Sequence, residues 1–355
     1  MKKFAFVVHP IAARDAARKY PLLGILPDGA IEAIMRIKKP SVVSQITGIE
    51  STTGAKTEGW FIGLPMTPHM MMEPSNLDFT YDQIVRCAEI AEGLGADIIG
   101  LGAFSSVVGD GGITVASRSK IAVTTGNAYT VATAIEGAIK ACNLLGVNPA
   151  DSELAVVGAT GSIGKTCAKV LAPQFRSTVL LGRDLERTAA VADELPRARA
   201  STNPTDLKGA EVLITVSSAG KEIVFPENLA IGAVVVDVAR PRDVSVRVSK
   251  ERPDVLVIEG GVVKVPGKPE FNFNFGFPAG TAYACMSETM MLALDDRIEN
   301  FTLGKEVSVQ QVEEISSIAA RHGFELSSFR SFERAVDEAT IAKVREARQK
   351  VAVTA

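Results

Sequence analysis

The chain has 355 residues, 46% of them hydrophobic and 22% charged, with a formal net charge of −3. Such a length holds two or three domains, and the composition is that of an ordinary globular protein. The charge balance gives no case for nucleic-acid binding, and no apolar run approaches the ~20 residues that cross a bilayer.

In chain order, Phe4–Val8, Val42–Ile49 and Trp60–Leu64 are strand-like, and Tyr81–Gly95 has Ile84, Val85, Ala88 and Ala91 at helical spacing. The apolar run Ala96–Gly102 predicts a strand that ends in the loop Ala103-Phe104-Ser105-Ser106. Thr124-Thr125-Gly126-Asn127 precedes a helix that runs to about Leu145, where Gly146 fits its stop; Thr125 or Asn127 fits its cap. From Leu154 the apolar runs Leu154–Val157, Thr178–Leu181, Glu211–Val216, Ala233–Val238 and Asp254–Ile258 alternate with crossovers. They predict a Rossmann-type doubly wound parallel sheet. After Pro278 the pattern turns helical, over Thr281–Leu294, Ser308–His322 and Phe332–Lys350. The expected organisation is α/β: an N-terminal α/β substrate domain (1–123), a nucleotide-binding domain (124–280) and a C-terminal helical cap (281–355).

The segment Gly158-Ala159-Thr160-Gly161-Ser162-Ile163-Gly164 follows a predicted strand and opens a predicted helix. In that context the first glycine permits the tight turn, the second lets backbone approach a pyrophosphate, and the third lets helix and strand pack closely. Free N–H groups and the positive end of the helix dipole then face the phosphates. The next strand ends in Gly182-Arg183-Asp184. Arg183 at the adenosine ribose favours a 2′-phosphate and hence NADPH; Asp184 argues for NAD, or caps the helix that follows. Ser217 and Gly260, each just beyond a further strand, are counted with the nucleotide site.

The four cysteines contain no Cys-x-x-Cys pair, and the three histidines are equally scattered. Neither set has metal-site spacing, so no metal is expected, and a reducing cytoplasm is the expected compartment. Cys87, Cys142 and Cys167 sit in predicted amphipathic helices, where core packing is the default. Cys285 follows Pro278-Ala279-Gly280-Thr281, a helix-start pattern. There the helix dipole would favour a thiolate, although a buried structural thiol fits the same position. His9 and His322 have no partner motif.

Segments spread from about Phe6 to Phe324 resemble the cyanobacterial-type long-chain acyl-[acyl-carrier-protein] reductases, which form fatty aldehydes. The resemblance is carried by Leu101-Gly102-Ala103-Phe104-Ser105-Ser106, Thr124-Thr125-Gly126-Asn127, the glycine loop, Gly260-Gly261-Val262-Val263, Ala284-Cys285, Asn300-Phe301 and Arg321-His322-Gly323-Phe324. It implies reduction of an acyl thioester through a cysteine-bound acyl group, with Cys285 as nucleophile and an acyl carrier protein or acyl-CoA as carrier. Two departures stand out. Tyr129 stands where that family usually has a histidine, and Val236-Asp237-Val238-Ala239-Arg240-Pro241 replaces a glycine-rich turn.

On this reading Phe104, Ser105, Ser106, Thr125 and Asn127 are substrate-side candidates, although hydroxyls in such loops also serve as caps. Met70, Met71, Met72 and the alternating Phe271, Phe273, Phe275 and Phe277 are candidates for an acyl slot or for plain core packing. Arg36-Ile37-Lys38-Lys39 and Arg240-Pro241-Arg242 are basic clusters that suit an acidic carrier, or simply solvated faces. The rival reading is an amino-acid or shikimate-type NADP dehydrogenase that transfers hydride directly, without a covalent step.

Overall fold

The computed structural model describes residues 1–18, 21–274, 276 and 278–354. The chain forms two compact units that interleave along the sequence. The first comprises Met1–Tyr129, Val263–Lys305 and Glu314–Glu325; the second comprises Thr130–Val262, Glu306–Glu313 and Leu326–Ala355. They cut the chain differently from the three consecutive segments read from the sequence, because residues 281–305 fold with the N-terminal unit.

In the first unit, the apolar runs become β1 (Lys3–Val8), β2 (Ser41–Glu50), β3 (Lys56–Gly63), β4 (Ile98–Gly100) and β5 (Ala122–Thr124). With an edge strand at Gly267–Glu270, the described residues give a six-stranded sheet in the order edge–β2–β3–β1–β4–β5. β1 runs parallel to β3 and β4, and β4 parallel to β5; β2 turns back antiparallel on β3. Phe4, Ala5, Phe6 and Val7 are all buried, as expected of a central strand covered on both faces. The helix Leu77–Gly93 buries Tyr81, Ile84, Val85, Ala88 and Ala91, the stripe that its period foretells. The helix Ala284–Leu294 is different: Ala284 and Met286 through Leu294 are all buried. Its approach to the sheet depends on Gly100, where a Cβ would lie 2.1 Å from the Thr289 hydroxyl oxygen.

The second unit holds β6 (Glu153–Val157), β7 (Ser177–Leu181), β8 (Ala198–Ser201), β9 (Val212–Thr215), β10 (Val234–Asp237) and β11 (Leu256–Glu259). Their order is β11–β10–β9–β6–β7–β8, and every neighbouring pair is parallel. This is the doubly wound Rossmann-type sheet, with strand order reversing between β6 and β9. Val157, Val179, Leu213, Val235 and Val257 pack in its core.

Three expectations need correction. The nucleotide sheet has a sixth strand, β8, whose Ala-Arg-Ala-Ser sequence lacks the apolar run that marks the others. The helix expected from Thr281 begins at Ala284, because Thr281–Tyr283 is extended. The last helix spans Glu338–Thr354 rather than starting at Phe332, because Arg330–Ser331 and Arg334–Ala335 pair as a small hairpin.

Candidate functional site

The glycine loop sits at the switch point of the second sheet, where α/β folds bind ligands. Gly158 has φ +83, and a Cβ there would lie within 3.0 Å of the Val216 and Ser217 backbone, so only glycine seats the loop against β9's exit. A Cβ on Gly164 would lie 2.4 Å from the Gly158 carbonyl oxygen, whereas a Cβ on Gly161 would meet only that oxygen, at 3.3 Å. Gly158 is thus demanded by the turn and Gly164 by close helix–strand packing, while Gly161 has more room around it. The helix starts at Ser162 with Gly161 as its cap residue and no side-chain cap hydrogen bond. Ala159 is buried, while Thr160, Ser162 and Ile163 are half-buried. The loop therefore fits a dinucleotide pyrophosphate.

At the end of β7 the Asp184 carboxylate accepts the Arg187 N–H at 3.1 Å and caps the helix Leu185–Ala192. Arg183 follows Gly182 just beyond β7. It is exposed and makes no hydrogen bond or ion pair with another described residue. Gly260 follows β11, where a Cβ would lie 2.6 Å from Val238.

Beneath the loop lies a pair of buried acids that spacing did not reveal. The Asp243 carboxylate accepts the Ser217 N–H at 2.8 Å and pairs with its hydroxyl at 2.5 Å, so Ser217 is held in place rather than left free to donate. Burial pushes the Asp243 carboxyl up to about 7, against the hydrogen bonds from Ser217. Burial also raises Asp237, opposed by Arg240 and by donors from Val244, Thr215 and Asp243. Read from sequence, this stretch was a basic cluster. In the fold the Arg240 guanidinium donates to the Ala239 carbonyl at 2.7 Å, and Arg242 to Glu259 at 2.9 Å and Glu333 at 3.0 Å.

In the first unit Cys285 occupies the second position of the helix Ala284–Leu294 and is half-buried, whereas Cys87, Cys142 and Cys167 are buried. Gly126, with φ +74, packs directly on it: a Cβ there would lie 2.3 Å from the Cys285 Cα and 2.4 Å from its Cβ. The Thr-Gly-Asn segment and the cysteine, far apart in sequence, thus form one contact. The helix start does not yield a thiolate in this state. Burial pushes the Cys285 thiol up to about 12, and the Glu288 carboxylate adds to that, against the Met286 N–H.

Among the substrate-side candidates, Phe104 is buried and Asn127 is the first residue of the helix Asn127–Leu145. The Ser105 hydroxyl donates to the Gly102 carbonyl at 2.8 Å, the Ser106 hydroxyl to Ala103 at 2.7 Å, and the Thr125 hydroxyl to Thr302 at 2.8 Å. Their protons are therefore engaged locally. Met70 and Met71 are buried and Met72 is exposed. Phe271 and Phe273 lie outside any strand, yet both pack on Phe61, with ring centroids 6.1 and 5.9 Å away; Phe275 and Phe277 lie outside the described residues. The His9 ring donates to the Pro10 carbonyl through Nδ1 at 3.0 Å and accepts the Phe104 N–H at Nε2, and burial lowers its pKa. His322 spans Ser51 at 2.8 Å and Asp295 at 2.9 Å. Among the described residues, no group of three or more His, Cys, Asp or Glu is placed to hold a metal ion, and no helix is long and apolar enough to cross a membrane.

The model of the shikimate / quinate 5-dehydrogenase family matches residues 141–259, which span β6 to β11 and stop before Cys285. Over 353 residues the chain is 28% identical to the aminotransferase PigE of Serratia sp.; the match covers 94% of this chain but 41% of that protein. The chain thus spans less than half the length of that relative. Over 305 residues it is 27% identical to the long-chain acyl-[acyl-carrier-protein] reductase of Synechococcus elongatus, covering 81% of this chain and 87% of that one. Among solved structures it is similar to the NAD-dependent malic enzyme of Thermotoga maritima, with 17% identity, 98% and 83% coverage and a TM-score of 0.45. The nucleotide sheet, its glycine loop and the sequence relatives support an NAD(P)-dependent oxidoreductase. The likeness to an aminotransferase was not foreseen from the sequence.

Asp243 generates a stability prediction. Its folded-state pKa of about 7 lies above the ordinary carboxylate value. As pH rises from about 4 to 7, the unfolded chain has released this proton while the folded chain retains it, so stability falls across that window. Urea unfolding at pH 5 and pH 7.5 should show wild type losing, from this group, on the order of a few kcal/mol. Asp243→Asn should show a smaller loss; an equal loss in both would contradict the assignment.

Proposed function

We propose that the protein reduces a fatty acyl thioester, carried on acyl carrier protein or coenzyme A, to a fatty aldehyde with NADPH, by way of an acyl group on Cys285. The observation that carries this reading is the packing of Gly126 against Cys285. It unites two segments that resemble the acyl-carrier-protein reductases, in a unit separate from the one that bears the nucleotide loop. The 27% identity to the Synechococcus enzyme supports it.

In the acyl-transfer step the Cys285 sulfur adds to the thioester carbonyl carbon. The carbon–sulfur bond to the carrier then breaks, and the carrier leaves as a thiol bearing the proton that Cys285 gives up. The exchange is of one thioester for another, so no strong driving force is required. Gly158–Gly164 would hold the pyrophosphate of NADPH and Arg183 its 2′-phosphate, and the bound cofactor would supply the hydride that the thioacyl carbon takes up. The bond from that carbon to Cys285 then breaks, the aldehyde leaves, and a solvent proton restores the thiol. The sum is thioester, NADPH and a proton giving aldehyde, carrier thiol and NADP+. Holding the acyl group on Cys285 makes the reduction intramolecular, which removes much of its entropic cost. Phe104, Ser105, Ser106, Thr125 and Asn127, around the exits of β4 and β5, are the proposed acyl-side residues.

The match to shikimate / quinate dehydrogenases favours a second reading, direct hydride transfer to a small substrate. That match covers the nucleotide sheet alone and so speaks to cofactor rather than substrate.

Intact-protein mass spectrometry after mixing with long-chain acyl-CoA or acyl-carrier-protein thioester, without NADPH, separates the two readings. Wild type should gain one acyl mass and Cys285→Ala none; equal labelling, or none on folded wild type, would favour the direct-transfer reading. Arg183→Gln should weaken NADPH binding by roughly tenfold while leaving NADH binding nearly unchanged, as read by fluorescence titration. Equal loss of both cofactors would remove Arg183 from the 2′-phosphate role.

A further inference from the structure

Glu288 lies one turn beyond Cys285 on the same helix and is completely buried. Its carboxylate gathers donors from separate segments of the first unit. One oxygen accepts the Thr124 hydroxyl at 2.5 Å and the Thr302 hydroxyl at 2.8 Å; the other accepts the Tyr129 N–H at 2.9 Å. Tyr129 is the third residue of the helix Asn127–Leu145. Glu288 therefore caps that helix start from another element, where the dipole favours an anion. Burial raises the Glu288 carboxyl, against the hydrogen bonds from Thr124, Tyr129, Thr302 and Gly126; the backbone partner can only donate and both hydroxyls are able to, a set that suits the ionised carboxylate. A buried charge is costly unless satisfied in this way. The turn so gripped is the one whose Gly126 rests on Cys285.

The charged groups of β1 and β3, which pack on this helix, are paired with one another or with their neighbours. Lys3 pairs with Glu58 at 2.7 Å, Lys56 with Glu50 at 3.3 Å and Lys2 with Asp97 at 3.4 Å. Asp295 pairs with Arg321 and His322. His9 is bound through both ring nitrogens. Glu288 is thus the one charge that the described residues place beside the thiol on its own helix.

We propose that Glu288 is the positioning residue of the Cys285 site: it clamps the Thr124–Tyr129 turn against the cysteine, and its carboxylate, one helical turn away, adds to the burial that keeps the resting thiol neutral. A neutral thiol resists oxidation and adventitious alkylation. Its bearing on catalysis rests on the reading of Cys285 as nucleophile; the chemistry of the thiol itself does not.

The test is iodoacetamide labelling of Cys285 in the full chain from pH 6 to 10, read by peptide mass spectrometry with neither thioester nor NADPH present. Wild-type labelling should climb about tenfold per pH unit without levelling off; a plateau below pH 9 would overturn the neutral thiol whether or not any variant folds. Glu288→Gln keeps the shape and an oxygen to accept the Tyr129 N–H, but not the charge; the Thr124 hydroxyl, which already accepts the Gly126 and Thr302 N–H groups, loses its acceptor. Thr302→Val keeps the charge and removes one donor. E288Q should label several-fold to about tenfold faster at pH 7, with its profile displaced to lower pH, while T302V should follow wild type. An unchanged E288Q profile, or equal acceleration in both variants, would overturn the proposal. The labelling needs no acyl substrate, so its failure is distinguishable from a failure of acyl transfer.

Discussion

The candidate chemistry of this protein depends on one close approach, the seat of Gly126 against the backbone of Cys285. With a Cβ 2.3 Å from the Cys285 Cα, no other residue fits at 126 without moving the turn or the helix. A left-handed φ of +74 reinforces that demand, because L side chains avoid it. The contact is locked from behind by Glu288, whose buried carboxylate reaches both Thr124 and the Tyr129 amide. Backbone clearance, helix dipole and buried charge therefore converge on one cysteine, the half-buried one.

The nucleotide half follows the same logic with different residues. Gly158 and Gly164 are required by approach distances to backbone, and the acid pair Asp237 and Asp243 fixes the exits of β9 and β10 through Thr215 and Ser217. In both units a buried carboxylate organises a loop at the carboxyl end of a sheet. Such groups are tolerated because donors surround them, and they give the loops a single arrangement on which ligand binding can rely.

Much of this was legible in the sequence. Strands buried on both faces, such as Leu154–Val157 and Ala233–Val236, read as unbroken apolar runs between turn signals, and the glycine loop announced its own strand and helix. β8 did not, since an edge strand of Ala-Arg-Ala-Ser has no apolar signature. Arg240-Pro241-Arg242 read as a basic surface because spacing cannot show guanidinium groups turning inward onto carbonyls and Glu259. Glu288 left one faint trace, a lone acid in the otherwise uncharged stretch Ala284–Leu294; only the fold reveals its donors. The interleaving of the two units has no local signature, because it is set by which surfaces residues 263–305 cover.

The central claim is that an acyl group on Cys285 is an intermediate, and the most direct measurement is a single turnover of isolated acyl-enzyme. Wild type acylated in the absence of cofactor, freed of excess thioester and then mixed with NADPH, should lose the acyl mass and release one equivalent of aldehyde while oxidising one equivalent of NADPH. Acyl-enzyme that survives NADPH unchanged, or that releases only fatty acid, would contradict the account.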